Sequence, residues 1–136
     1  MSSCPGFFST CEIIYFVEGP KDSRISLRIS STATGADQLC VSELSVLECK
    51  VLPLRNSDYA LVQAYDKFFA DPDLGCLEVS RAVLNTAARL RAVHGLRTPD
   101  AIQAASAITL DADVFLTNDA SFKRVTEIDV ELVEPG

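Results

Sequence analysis

The chain has 136 residues, 48% hydrophobic and 23% charged, a balance that suits one soluble globular domain with a real core. No apolar run approaches the roughly 20 residues of a membrane span, and no basic region precedes an apolar stretch at the N-terminus, so neither a spanning helix nor a leader is expected. A net charge of −7 argues against a protein that holds nucleic acid by bulk charge, though not against an enzyme that meets RNA through local arginines such as Arg81, Arg89, Arg91 and Arg97.

In chain order, 6–9 reads as a short first strand. A helix over 10–19 follows, with Ile13, Ile14, Phe16 and Val17 at helical spacing and Gly19-Pro20 as its stop. The polar stretch 21–35 suggests a second short helix and a loop, and 38–41 a second strand. Ser42 is placed to cap a helix from 43 to about 52, ended by Pro53, with Val46, Leu47 and Val51 as its buried stripe. The amphipathic segment 57–70 turns Leu61, Tyr65, Phe68 and Phe69 inward. Asp71-Pro72-Asp73 is a turn, and 75–79 is a strand. Ser80 caps a helix through His94, with Gly95 just past its end. An alanine-rich helix covers 99–110, and strands follow at 114–117 and 130–133. This alternation predicts a parallel sheet covered on both faces.

Cys4, Cys11, Cys40, Cys49 and Cys76 are odd in number and contain no CxxC pair. The spacing argues against zinc or a disulfide framework and points to free thiols in a cytoplasm. His94 is the only histidine, and GxSxG, Walker A and GxGxxG motifs are all missing.

Two acids stand where regular structure changes direction. Asp100 belongs in a first helical turn, with Thr98 as cap and Pro99 at the first helical position. Asp119 follows a buried strand. Open α/β sheets place their sites in the crevice at such strand and helix ends. Carboxylates gathered there repel one another unless a cation sits between them, and hard oxygen ligands suit Mg²⁺ or Mn²⁺. Each acid also has a plainer role. Asp100 favours its own helix dipole. Asp119 suits a turn, or the cap of a short helix near Ser121. Glu48 can face solvent, and Glu43 supports the start of its own helix. Thr117 and Asn118 can satisfy local backbone.

Five strings in order carry a resemblance: 14–19 (IYFVEG), 42–48 (SELSVLE), 88–92 (ARLRA), 96–101 (LRTPDA) and 116–119 (LTND). The chain resembles a PIN domain of the VapC toxin type. The resemblance implies a three-layer α/β/α fold with a central, mostly parallel sheet. It also implies a cluster of acids that binds divalent cations for RNA cleavage. Glu48, Asp100 and Asp119 match three of those acids. The family's opening Asp-Thr-Asn or Asp-Thr-Cys stands here as Ser9-Thr10-Cys11, so Ser9 replaces the first acid. Losing one anion weakens cation binding. Glu12, about one turn on, either swings in as a substitute ligand or is a surface glutamate, the ordinary place for one. Ser9, Glu12, Thr117 and Asn118 are accessory candidates, and Arg89, Arg91 and Arg97 are candidates for RNA phosphates. Two functions stay open: a metal-dependent toxin-type endoribonuclease weakened at Ser9, and a catalytically inactive PIN-fold binding module. The resemblance further implies a homodimer and a cognate antitoxin.

Overall fold

Five short strands set the frame, and a computed structural model of the chain describes them within residues 4–20 and 39–133. The elements run β1 (Gly6–Phe8), α1 (Thr10–Glu18), β2 (Leu39–Ser42), α2 (Leu44–Arg55), α3 (Tyr59–Phe69) and β3 (Leu74–Leu77). They continue with α4 (Arg81–His94), α5 (Thr98–Thr109), β4 (Phe115–Thr117), a 3-10 turn (Ala120–Arg124) and β5 (Val130–Leu132). The sheet order is β3-β2-β1-β4-β5, and every pairing is parallel. The short helix expected within 21–35, and Gln38, lie outside the described residues.

Successive strand side chains point to opposite faces, and here both faces are covered. Phe7, Cys40 and Phe115 pack against Val83 and Leu90 of α4 and the alanines Ala101, Ala104 and Ala105 of α5. Phe8, Val41 and Leu116 pack against Ile13 of α1, Cys49 of α2 and Tyr65 of α3. The result is the three-layer α/β/α arrangement. The small side chains of α5 let it come close to the sheet, and all seven residues from Ala101 to Ala107 are buried.

Local chemistry sets the helix ends. Gly19 ends α1 where its N–H meets the Tyr15 carbonyl at 2.8 Å. A Cβ there would lie 2.5 Å from the same oxygen, so glycine is required. Ser80 caps α4 by accepting from Val83 N at 3.2 Å. Gly95 ends that helix with φ +69°, a left-handed conformation natural to glycine.

Two features of α2 depart from expectation. Pro53 does not end the helix, which runs on to Arg55. A proline in the last turn removes one helical hydrogen bond because it has no N–H to donate, and its carbonyl still accepts from Asp58 N at 2.8 Å. The apolar stripe also faces outward. Ser45, Cys49 and Pro53 are the buried residues, whereas Leu47 is 60% exposed and Val51 and Leu54 are also exposed. Helical spacing marks a stripe without fixing which way it points. Smaller shifts include the cap of α5, which is Arg97 with helix from Thr98, one residue earlier than expected. The other expected element ends hold or move by one or two residues. Ser42 still serves α2, its hydroxyl accepting from Leu44 N at 3.1 Å.

Candidate functional site

β1 and β4 lie side by side at the middle of the sheet, where strand order reverses direction. In open parallel sheets that reversal opens a crevice at the strands' carboxyl ends. Ser9 directly follows β1, and its N–H donates to Leu116 of β4 at 3.1 Å. Thr117 closes β4. The Ser9 hydroxyl donates to Thr117 Oγ1 at 3.1 Å, so it has no hydrogen left for Cys11, 3.0 Å away. The Cys11 thiol therefore donates to Ser9, and Thr117 lies 3.6 Å from Cys11 Sγ. Three neutral groups thus form a closed ring where the resemblance expects an acid. Thr117 Oγ1 also accepts the Asp119 N–H at 3.1 Å.

Across α1 the chemistry is ionic. Glu48 Oε1 accepts from the Thr10 hydroxyl at 2.7 Å and from Gln103 Nε2 at 3.2 Å. With the Thr10 hydrogen directed at Glu48, the Ser45 hydroxyl, 2.8 Å from Thr10, must donate to it. Gln103 Nε2 also lies 3.0 Å from Ser45 Oγ and 3.1 Å from Thr10 Oγ1. Residues of α1, α2 and α5 are thus tied at one point.

Asp100 sits in the first turn of α5, where the helix dipole favours a negative charge. Its Oδ2 accepts from Arg97 Nε at 3.1 Å. Asp119 caps the 3-10 turn and accepts from Ser121 N at 2.9 Å. Those Ser121 bonds hold its carboxyl below the ordinary range, with the charges of Arg97 and Arg124 adding to the effect. The same Arg97 therefore touches Asp100 and acts on Asp119. Glu48 is thus tied to Thr10, the residue after Ser9, and Asp119 to Thr117 through its backbone N–H, while Asp100 pairs with Arg97, whose charge also acts on Asp119.

Glu12 is not a surface glutamate. It is only 1% exposed, and its Oε1 has no hydrogen-bond partner. Burial pushes its carboxyl up to about 7. Glu43 is exposed at the start of α2 and makes no side-chain cap bond. Asn118 is half-buried beside Asp119. Arg91 donates to the Leu96 carbonyl at 2.9 Å, and Arg89 to Thr86 at 3.2 Å. His94 pairs with Glu127 at 2.8 Å, near the end of α4 and apart from the acids' contacts.

Gln103 is the functional candidate that sequence reasoning missed. The available signal was a lone amide three residues after Asp100 within an alanine-rich run.

The donor set suits a hard divalent cation in its chemistry. Glu48 commits only Oε1 to protein donors and Asp100 only Oδ2. Each keeps one carboxylate oxygen without a hydrogen bond, as a cation ligand requires. Among the described residues, however, no three His, Cys, Asp or Glu side chains are grouped closely enough to hold a metal ion together.

The PIN domain family model matches residues 7–128. Among solved structures, the chain is similar to one in VapBC2 from Rickettsia felis bound to a DNA fragment from their promoter. That match has 17% identity and a TM-score of 0.77, and covers 95% of this chain and 98% of that one. A chain in a toxin–antitoxin complex from Klebsiella pneumoniae matches at 18% identity and TM-score 0.71, with 90% and 94% covered. A chain in DNA-bound VapBC from Salmonella typhimurium matches at 18% identity and TM-score 0.70, with 94% and 97% covered. At these identities the likeness is one of fold. Among curated proteins none matches.

Proposed function

The chain belongs to the PIN-domain family, and on that premise we propose that it is a metal-dependent endoribonuclease of the toxin type, working with three carboxylates in place of four. Glu48, Asp100 and Asp119 are the proposed ligands of Mg²⁺ or Mn²⁺. The observation that carries the reading is the placing of these acids next to the carboxyl ends of the central strands, Glu48 bonded to Thr10 just past β1 and Asp119 just past β4, with an unshared oxygen on Glu48 and on Asp100. When bound, the cation supplies a Lewis acid that lowers the pKa of water and offsets charge on the scissile phosphate. Asp119, held ionised by Ser121 and the nearby arginines, contributes charge at neutral pH. Thr117 and Asn118 orient the strand end that carries it. Ser9 contributes a hydroxyl and no charge, which makes the enzyme weak. Arg97, 80% exposed beside Asp100, attracts RNA phosphates, and Arg89 and Arg91 extend that basic track.

The partners follow from the same reading. The matched structures from Rickettsia felis, Klebsiella pneumoniae and Salmonella typhimurium are complexes, and a cognate antitoxin is the proposed partner here. A second copy of the chain is the proposed occupant of the exposed α2 face. There, Glu43 and Lys50 flank Val46 and Leu47 along an open groove that continues to Val51 and Leu54. Two-fold pairing about Val46 and Leu47 brings acid against base. No described helix is long and apolar enough to cross a membrane, and the cytoplasm is the proposed location.

One observation favours the second reading, a binding module without catalysis. The Ser9 ring is closed on itself, and the unpartnered Glu12 carboxyl makes no contact with the acids. Cleavage of a structured RNA in Mn²⁺ decides between the two. Slow cleavage that disappears in Asp100→Asn is the expected result. Cleavage that appears only in Ser9→Asp favours the binding module.

A further inference from the structure

We propose that Gln103 is a positioning residue, holding Glu48 so that Oε1 belongs to the fold and Oε2 is left for a ligand. The proposal rests on the reading of Glu48 as a cation ligand. Gln103 is 3% exposed and lies one turn along α5 from Asp100, so one helix carries an acid and the group that orients another. The amide's orientation follows from chemistry. Glu48 Oε1, when ionised, can only accept, so the Gln103 atom 3.2 Å from it must be the NH₂ nitrogen. The same nitrogen reaches Thr10 Oγ1 and Ser45 Oγ. The price is paid at the other atom, because Gln103 Oε1 is buried with no partner.

An orphaned buried acceptor is destabilising. A residue chosen for stability at this position in an alanine-rich helix would be apolar. The amide is therefore kept for its donors, and its donors face Glu48 and the two hydroxyls around it. Groups that orient a ligand in this way tune its affinity for metal without touching the metal.

The test is Mn²⁺ calorimetry on the full chain, on Gln103→Met, on Glu48→Gln and on the double variant. Gln103→Met is expected to weaken Mn²⁺ binding by about tenfold while melting within a few degrees of the wild type. The double variant is expected to bind no more weakly than Glu48→Gln alone, because Gln103 acts through Glu48. Unchanged affinity in Gln103→Met overturns the proposal and leaves the metal reading standing, as does a loss that adds in full to that of Glu48→Gln. Should the wild type itself bind no Mn²⁺, the metal reading is what fails. The hold of Gln103 on Glu48 is then read from its side-chain amide NMR signals. These are expected to move in Glu48→Ala, and unmoved signals overturn the proposal.

Discussion

On the Glu48 side of the crevice, a carboxylate is met by the Thr10 hydroxyl and the Gln103 amide, with Ser45 donating behind them. On the Ser9 side, separated from it by one residue of α1, a hydroxyl and a thiol close a neutral ring with Thr117. Both sides are mostly buried, and both include hydroxyl side chains close to the ends of β1, β2 and β4. The difference teaches what a charge near a core requires. A buried carboxylate needs donors aimed at it, and Glu48 has them. Glu12 lies one turn from Ser9 and has none at its buried Oε1. Its carboxyl answers by holding its proton to about pH 7. A carboxyl group of α1 has not vanished from this region, but it is buried without a partner and pushed up by that burial, rather than held as an anion by donors in the crevice.

The largest expected effect tests that last point. The Glu12 carboxyl rises from 4.5 to about 7 on folding, which corresponds to about 3 kcal/mol of stability lost when it ionises. The sign follows from the proton count. Between those values the folded chain keeps a proton that the unfolded chain has released, so stability falls as pH rises from 4.5 through 7. Glu12→Gln is expected to remove that fall, making the variant more stable than the wild type at pH 8 but not at pH 4. Urea midpoints at the two pH values measure it. Equal pH dependence in the two proteins would mean that Glu12 finds a partner in solution.

Next in size is Ser9→Asp, which restores an anion on the neutral side. It is expected to tighten Mn²⁺ binding by about tenfold or more, and to lower the stability of the metal-free protein through repulsion with Asp119. Calorimetry and thermal melting in a chelator report the two effects. Unchanged affinity would show that the Ser9 side does not reach the acids' ligand.

A paired substitution then compares the sides directly. Thr10→Val removes a 2.7 Å donor from a carboxylate and is expected to cost about 1–2 kcal/mol, against less than about 1 kcal/mol for Cys11→Ala, whose thiol is a weak donor. The reverse order in denaturant unfolding would break the comparison.

Much of this was legible in the sequence, and the failures have two causes. Asp100 and Asp119 announce themselves because caps and strand ends are local signals, read from Pro99 and from the apolar run before Asp119. Gln103 did not announce itself, and Glu12 was named without its burial being readable. Polar residues are usually solvated, and only tertiary packing shows that both are enclosed. The α2 stripe failed differently: Val46, Leu47 and Val51 gave the correct spacing, but direction depends on which face the sheet takes, and Ser45 and Cys49 took it. The smallest expected effect follows from that correction. Leu47→Glu lies on an exposed position and is expected to change folding stability by less than about 0.5 kcal/mol while converting a dimer to a monomer in analytical ultracentrifugation. A wild type that is monomeric throughout would remove the second copy from the account.

The central claim is that Glu48, Asp100 and Asp119 still take a divalent cation although Ser9 stands in the fourth place. Calorimetric titration of the unaltered chain with Mn²⁺, beside Asp100→Asn, tests it most directly. The account predicts weak but saturable binding that is lost in Asp100→Asn. No binding by the unaltered chain, or binding that survives Asp100→Asn unchanged, would contradict it.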